Sequence, residues 1–147
     1  MVEFVDTAGG AWVGNFCPGF GGIDDVRAHP NERDVLVISH GALWSVNPET
    51  RKADKIAPAV FGVWQLSDPE RLVFNNQGLA FVCIGRTGVV WQTRRISWDG
   101  FDKLRFEADR LIGRAWSPIG DRWLPFSVDL KTGLVEGGSY SETRRAL

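Results

Sequence analysis

The stretch VRAHPNERDVLVISHGALWSVNPET, residues 26–50, decides the fold class. Two short runs rich in β-branched and apolar residues, V-L-V-I and A-L-W-S-V, flank His40-Gly41, with Asn, Asp and Pro on their outer sides. Such runs joined across a Gly-containing turn read as a β-hairpin. The same stretch, shifted by 37 residues without a gap, lies over VWQLSDPERLVFNNQGLAFVCIGRT, residues 63–87. Gly41 then meets Gly78, Trp44 meets Phe81, Val46 meets Cys83 and Thr50 meets Thr87. A self-match at a fixed offset points to a repeated unit of supersecondary structure.

A third copy begins near Phe101 and continues through RLIGRAWSPIGDRWLPFSVDLKTG, residues 110–133. Leu111 matches Leu72 at an offset of 39 and Thr132 matches Thr87 at 45, so the six extra residues fall in the Ser117–Asp121 hairpin. Outside the repeat, helical periodicity is nearly absent, and short strand-like runs bounded by turn residues recur along the chain. They lie at 11–16, 23–28, 34–39, 42–47, 52–56, 60–66, 71–75, 79–84, 88–98, 102–108, 110–116, 122–128 and 134–137. The expected fold class is all-β: an antiparallel meander of hairpins in one domain over residues 1–147, with units at about 23–59, 60–98 and 99–140.

Each unit resembles a blade of a β-propeller, and residues 26–52 look like the inner three strands of one. Propellers close with about 4–8 blades, so three units do not make a standard ring. Three arrangements follow: a meander curled into a barrel or sandwich, which is the expected one, an open three-unit fan with covered edges, or a homodimer completing a six-unit ring. The C-terminal half is also similar to small uncharacterised bacterial proteins, a resemblance that implies no activity.

At 147 residues the chain can bury roughly 68–70% of its unfolded surface without a staple. Hydrophobic residues make up 44% and charged residues 24%, which excludes disordered and coiled-coil classes. The net charge of −1 gives no global attraction to nucleic acid or anionic lipid. The charge is divided, however: residues 1–85 have a balance of −4 and residues 86–147 of +3. The basic excess is almost all arginine, a side chain suited to pairing with carboxylates and to stacking on rings. Pairing with interleaved acids on a solvated sheet is the expected role; an anion-binding patch is the rival. The start M-V-E-F-V-D is not that of a secretory leader, and two cysteines make no disulfide framework, so a cytoplasmic setting is expected. The clearest apolar run without charge, residues 56–67, is too short to span a bilayer.

Seven Trp and nine Phe against one Tyr direct attention to aromatic surfaces. In WQTRRISWDGF, residues 91–101, Asp99-Gly100 is a strong signal for a two-residue hairpin turn. Such a turn sets Arg94 opposite Arg105 with Glu107 diagonal, gives Arg95 the neighbour Asp102, turns Trp91 to the core and leaves Trp98 beside Phe101 on a polar face. In WSPIGDRWLPF, residues 116–126, a closed hairpin brings Trp116 near Trp123 with Arg114 or Arg122 over a ring. The candidate binding residues are therefore Trp98, Phe101, Arg94, Arg105, Trp116, Arg122 and Trp123.

No convergent catalytic set stands out. Cys17 and His40 with Asp24 or Asp25 would supply a nucleophile, base and acid, but their spacing does not support the grouping. His29 and His40 sit at ordinary turn positions, and the two histidines lack metal-ligand spacing, so no metal and no cofactor are expected. The glycine-rich loop NFCPGFGGIDD, residues 15–25, reads as a tight crossing of chain under a sheet. DLKTG, residues 129–133, reads as a turn. The expected function is a non-enzymatic module that binds a protein partner, with an immunity or regulatory protein suiting the size. The alternative is a small-molecule-binding barrel or hydrolase-like enzyme using the Cys17 loop and His40. Interspersed acids argue against nucleic acid, and no membrane is expected.

Overall fold

A computed structural model describes residues 1–67 and 70–141 as fourteen strands in four antiparallel sheets, with no helix among them. β1 (Val2–Val5) and β2 (Ala11–Gly14) form an isolated hairpin. β3 (Asp25–Ala28), β4 (Val35–Ser39), β5 (Ala42–Val46) and β6 (Ala53–Ala57) make the first four-stranded sheet. β7 (Val60–Leu66), β8 (Arg71–Asn76), β9 (Ala80–Gly85) and β10 (Gly88–Gln92) make the second. β11 (Phe101–Glu107), β12 (Arg110–Ser117), β13 (Arg122–Asp129) and β14 (Val135–Gly137) make the third. In each sheet, strands neighbouring in sequence are neighbours in space. β1 was not among the sequence-expected strands.

The period-two alternation along each strand builds the layers. Leu36, Ile38 and Leu43 of the first sheet meet Leu72, Phe74, Val82 and Ile84 of the second in one buried cluster. The opposite face of the first sheet packs Val37, Val46 and Trp44 against Phe4 and Trp12 of the hairpin. There the Phe4 and Trp12 rings stack at 4.3 Å. From the second sheet, Val73, Phe81, Cys83 and Trp91 meet Leu111, Ala115, Phe126 and Val128 of the third. Phe101 enters this last cluster, 4.6 Å from Phe81 and 5.0 Å from Phe126. The central strands of the two inner sheets, β4, β5, β8 and β9, are apolar on both faces for this reason, and at the far end of the stack the outer face of the third sheet meets no further sheet among the described residues.

The expectation of an all-β antiparallel chain holds, while that of a meander curled into a barrel or sandwich is corrected in its barrel form: the sheets are separate and no barrel closes. What replaces continuous pairing is a set of backbone bonds from one sheet's turn to the next sheet's entry. The carbonyl of Gly41, in the β4–β5 turn, accepts from Val60 N at 2.8 Å, and that of Gly78, in the β8–β9 turn, accepts from Gly100 N at 2.8 Å. The loop at 15–25 is a tight crossing, as expected: Gly19 N donates to Ser39 O and Gly21 N to His40 O, while Gly41 N donates back to Ile23 O. Phe16 packs near Trp44, whereas Phe20 is fully in solvent.

The Asp99-Gly100 hairpin is a second correction. β10 pairs only with β9 and β11 only with β12, so residues 93–100 cross between sheets instead of turning within one. Gly100 takes φ +93°, but Asp99 does not join it at positive φ, as the two-residue turn requires. Hydrogen bonds from Ile96 N to Leu79 O and from Gly100 N to Gly78 O hold the segment on the β8–β9 turn, and Ile96 is buried completely. Among the described residues, no helix is long and apolar enough to cross a membrane.

Two glycines separate backbone strain from the sheet-to-sheet crossing. Gly9 and Gly41 both sit at φ +84°, yet an added Cβ at Gly9 meets nothing within 4 Å while at Gly41 it stands 2.5 Å from Gly21 Cα. Gly9→Ala should cost about 1 kcal/mol of stability, the penalty of the left-handed conformation alone. Gly41→Ala should cost clearly more, read as a lower urea midpoint; equal losses in the two variants would refute the crossing as a structural determinant.

Candidate functional site

The residues singled out by sequence divide among three places. Phe101 is core. Arg105, Trp116 and Trp123 lie on the outer face of the third sheet, where Trp116 and Trp123 are direct cross-strand partners. Arg94 and Arg122 line a cleft of about 510 Å³ at one end of that sheet. Trp98 stands beside the cleft, edge-on to Tyr140 with ring centroids 5.0 Å apart.

On the outer face, the sequence reading of residues 116–126 is realised. The two tryptophan rings meet edge to face at 5.2 Å, and the Arg114 guanidinium lies 5.7 Å from the Trp123 ring centroid. Arg114 also grips Asp102 with both arms, at 2.8 and 2.6 Å. This bond from Arg114 draws the Asp102 carboxyl below the usual carboxylate range. Arg105 pairs with Glu107 at 2.8 Å on its own strand and has no part in a network with Arg94. Trp123 keeps 36% of its surface exposed.

The cleft is built by three segments. Trp91 is anchored in the core by its indole N–H, which donates to Leu130 O at 2.9 Å, and Thr93 closes the β10 side with bonds to Phe81. Beyond that point the chain is no longer a strand, so consecutive Arg94 and Arg95 do not point to opposite faces and both reach the cleft. The β12–β13 hairpin supplies Ser117, Ile119, Arg122 and Leu124, and the end of β14 with the chain after it supplies the third wall, 137–141. Ile96 ties that wall down, its carbonyl accepting from Ser139 N at 2.9 Å and Tyr140 N at 3.0 Å. Gly138 makes the approach feasible, since a Cβ there would lie 2.7 Å from Ile96 O.

The arginines of this cleft do not follow the expected pairing with acids. Arg94 donates to the carbonyls of Gly137 at 2.7 Å, Arg95 at 3.1 Å and Tyr140 at 3.4 Å. Arg95 donates to Ser97 O and Trp98 O and lies 4.2 Å from the Tyr140 ring centroid and 5.5 Å from that of Trp98. Its expected partner Asp102 is on Arg114 instead. Arg122 has no hydrogen bond or ion pair among the described residues, and no carboxylate of those residues lines the cleft. Elsewhere the pairing reading holds, as in Arg27 with Asp25 at 2.7 Å and Arg33 with Asp34 at 3.1 Å. Sequence reasoning did not single out Tyr140 or Ser139; the Gly137-Gly138 pair before them was the available signal of a close backbone approach.

The Cys17 and His40 alternative rests on ordinary turn groups. His40 N donates to the Asp24 carboxylate at 2.8 Å, holding that carboxyl below its usual range, and both side chains are solvent-exposed. Cys17 is exposed; Cys83 is in the core, where burial raises its thiol. No group of three potential metal ligands occurs among the described residues. DLKTG is a turn, with Asp129 Oδ1 accepting from Lys131 N and Gly133 at φ +76°. No family model, curated protein or solved structure matches this chain.

His29 is buried and structural: its Nδ1 accepts from Asn31 N at 2.9 Å, a bond only the neutral ring can make at that atom. Desolvation lowers its pKa, Asp34 opposes the shift and Arg33 adds to it. The unfolded chain therefore binds more protons just below the ordinary value of about 6.5. Stability should fall as pH drops from there toward the folded value and then level off, in a window above that of the acids. Urea midpoints at pH 7.5 and 5.5 should differ in the wild type and converge in His29→Gln; an unchanged pH slope in the variant would remove His29 as the cause.

Proposed function

We propose that this chain is a non-enzymatic binding module that holds a protein partner on the outer face of its third sheet. The observation that carries the reading is the Trp116–Trp123 pair. Two large rings sit together on a sheet face that no further layer of the described residues covers, with a bidentate Arg114–Asp102 pair fixing the cation beside them. Tryptophan and arginine are the residues that most often dominate protein interfaces, since a rigid ring provides area at small entropic cost and a guanidinium adds directional bonds. A pre-held arginine lowers the ordering cost of association further. A regulatory or immunity role for such a module is consistent with its size.

The three four-stranded sheets are, on the same reading, blade-like repeats in an open fan. Supporting this, the 37-residue offset carries β4 onto β8 and β5 onto β9, and Gly41 and Gly78 occupy corresponding turns at φ +84° and +70°. A fan of this kind leaves its last face available, which is where the tryptophans are.

Immobilised protein exposed to lysate of its source cell should retain a discrete partner that Trp123→Ala loses by at least about tenfold, the consequence of removing one hot-spot ring. Val13→Ala, on the exposed side of the N-terminal hairpin, should retain it fully. Equal retention by wild type and Trp123→Ala would overturn the assignment of the surface.

A further inference from the structure

The cleft beside this face carries a separate site. Arg94, Arg95 and Arg122 bring three permanent positive charges to one concavity whose described lining has no carboxylate. Among the described residues outside the cleft, Asp25, Asp34, Glu32, Glu107 and Asp102 serve Arg27, Arg33, Arg86, Arg105 and Arg114, while Arg71 and Arg110 donate singly to Leu130 O and Ser127 Oγ. What sets the cleft apart is that it gathers three arginines with no acid in its described lining.

The three arginines are also held differently. Arg94 and Arg95 spend part of their donor set on backbone carbonyls, which fixes the guanidinium planes without neutralising them. A guanidinium has five N–H donors, so each keeps donors beyond those bonds. Arg122, across the cleft on β13, uses none of its donors on the described residues. Ile119 and Leu124 add an apolar wall between the charged groups. A volume of about 510 Å³ falls within the range of sites that enclose small organic ligands.

We propose that this cleft binds the phosphate group of a small phosphate monoester, with Arg94 and Arg95 as the fixed cradle and Arg122 as the closing contact. A doubly charged phosphate answers three cations better than a single carboxylate does, and it presents enough acceptor oxygens to engage two guanidinium forks at once. The apolar wall takes the organic remainder of the ester. This inference is independent of the protein-partner reading, because it concerns the other side of β13 from Trp123.

The test is calorimetric titration of the full chain at low salt with three probes: inorganic phosphate, phenyl phosphate and acetate. Phenyl phosphate should bind tightest, phosphate next and acetate at least about tenfold more weakly than phosphate, with all affinities falling as salt is raised. Arg122→Gln should weaken phenyl phosphate binding by about ten- to a hundredfold, the loss of a charge-assisted bond. Its melting temperature should match wild type, since Arg122 supports no other described group. A chain ending at Ser141 should bind as the full chain does. Absence of phosphate binding, equal affinity for acetate, an unaltered affinity in Arg122→Gln, or tighter binding after truncation, which would give the cleft to the chain's own terminal carboxylates, each overturns the proposal. Loss of lysate capture in Trp123→Ala with phosphate binding intact keeps the two surfaces distinct.

Discussion

The arrangement depends on a backbone interlock: the carbonyl of a glycine in one sheet's central turn accepts the N–H that leads into the next sheet. Gly41 O receives Val60 N, and Gly78 O receives Gly100 N. These bonds fix where each new sheet begins, and thus which apolar faces meet. Sheets whose strands are buried on both sides have no tolerance for slippage, since a one-residue shift exchanges the faces. The interlock therefore sets register between layers in the way that ladder bonds set it within them. It also demands glycine, because the turn must reach positive φ and let neighbouring backbone come close.

The cleft is a by-product of the same constraint. To place Gly100 N on Gly78 O, the chain leaving β10 must run across the end of the stack, and residues 93–97 give up strand geometry to do so. That sacrifice puts Arg94 and Arg95 on one side. Ile96, the next residue, is buried in the core and holds the chain after β14 by its carbonyl. A basic concavity thus results from packing a single isoleucine, with Arg122 added from the facing hairpin. The charges are tolerated because backbone carbonyls and the Tyr140 ring accept part of their field.

Much of the fold was legible because apolar runs between turn residues carry their own periodicity. Most strand positions from residue 23 onward, the turn at His40-Gly41, the inward Trp91 and the Trp116–Trp123 contact with Arg114 over a ring followed from local pattern; the run expected at 88–98 stops at Gln92, where the chain leaves its sheet. Asp99-Gly100 misled because hairpin propensity is a local signal, while the competing demand came from the β8–β9 turn twenty residues earlier and from burial of Ile96. The same error assigned acids to Arg94 and Arg95 that the structure gives to other arginines. Tyr140, a wall of the cleft, was signalled only by the Gly137-Gly138 pair before it, because its position is fixed by long-range bonds to Ile96.

A surface of paired tryptophans and a cleft of arginines with no acid in its described lining lie on opposite sides of one strand, so the two proposed sites are separable by experiment. The most direct measurement is amide chemical-shift mapping by NMR during a titration with phenyl phosphate. The account predicts shifts confined to residues 94–98, 117–124 and 137–141, saturating together. Shifts spread evenly over the basic residues of the chain, or centred on the N-terminal hairpin or the Cys17 loop, would contradict it.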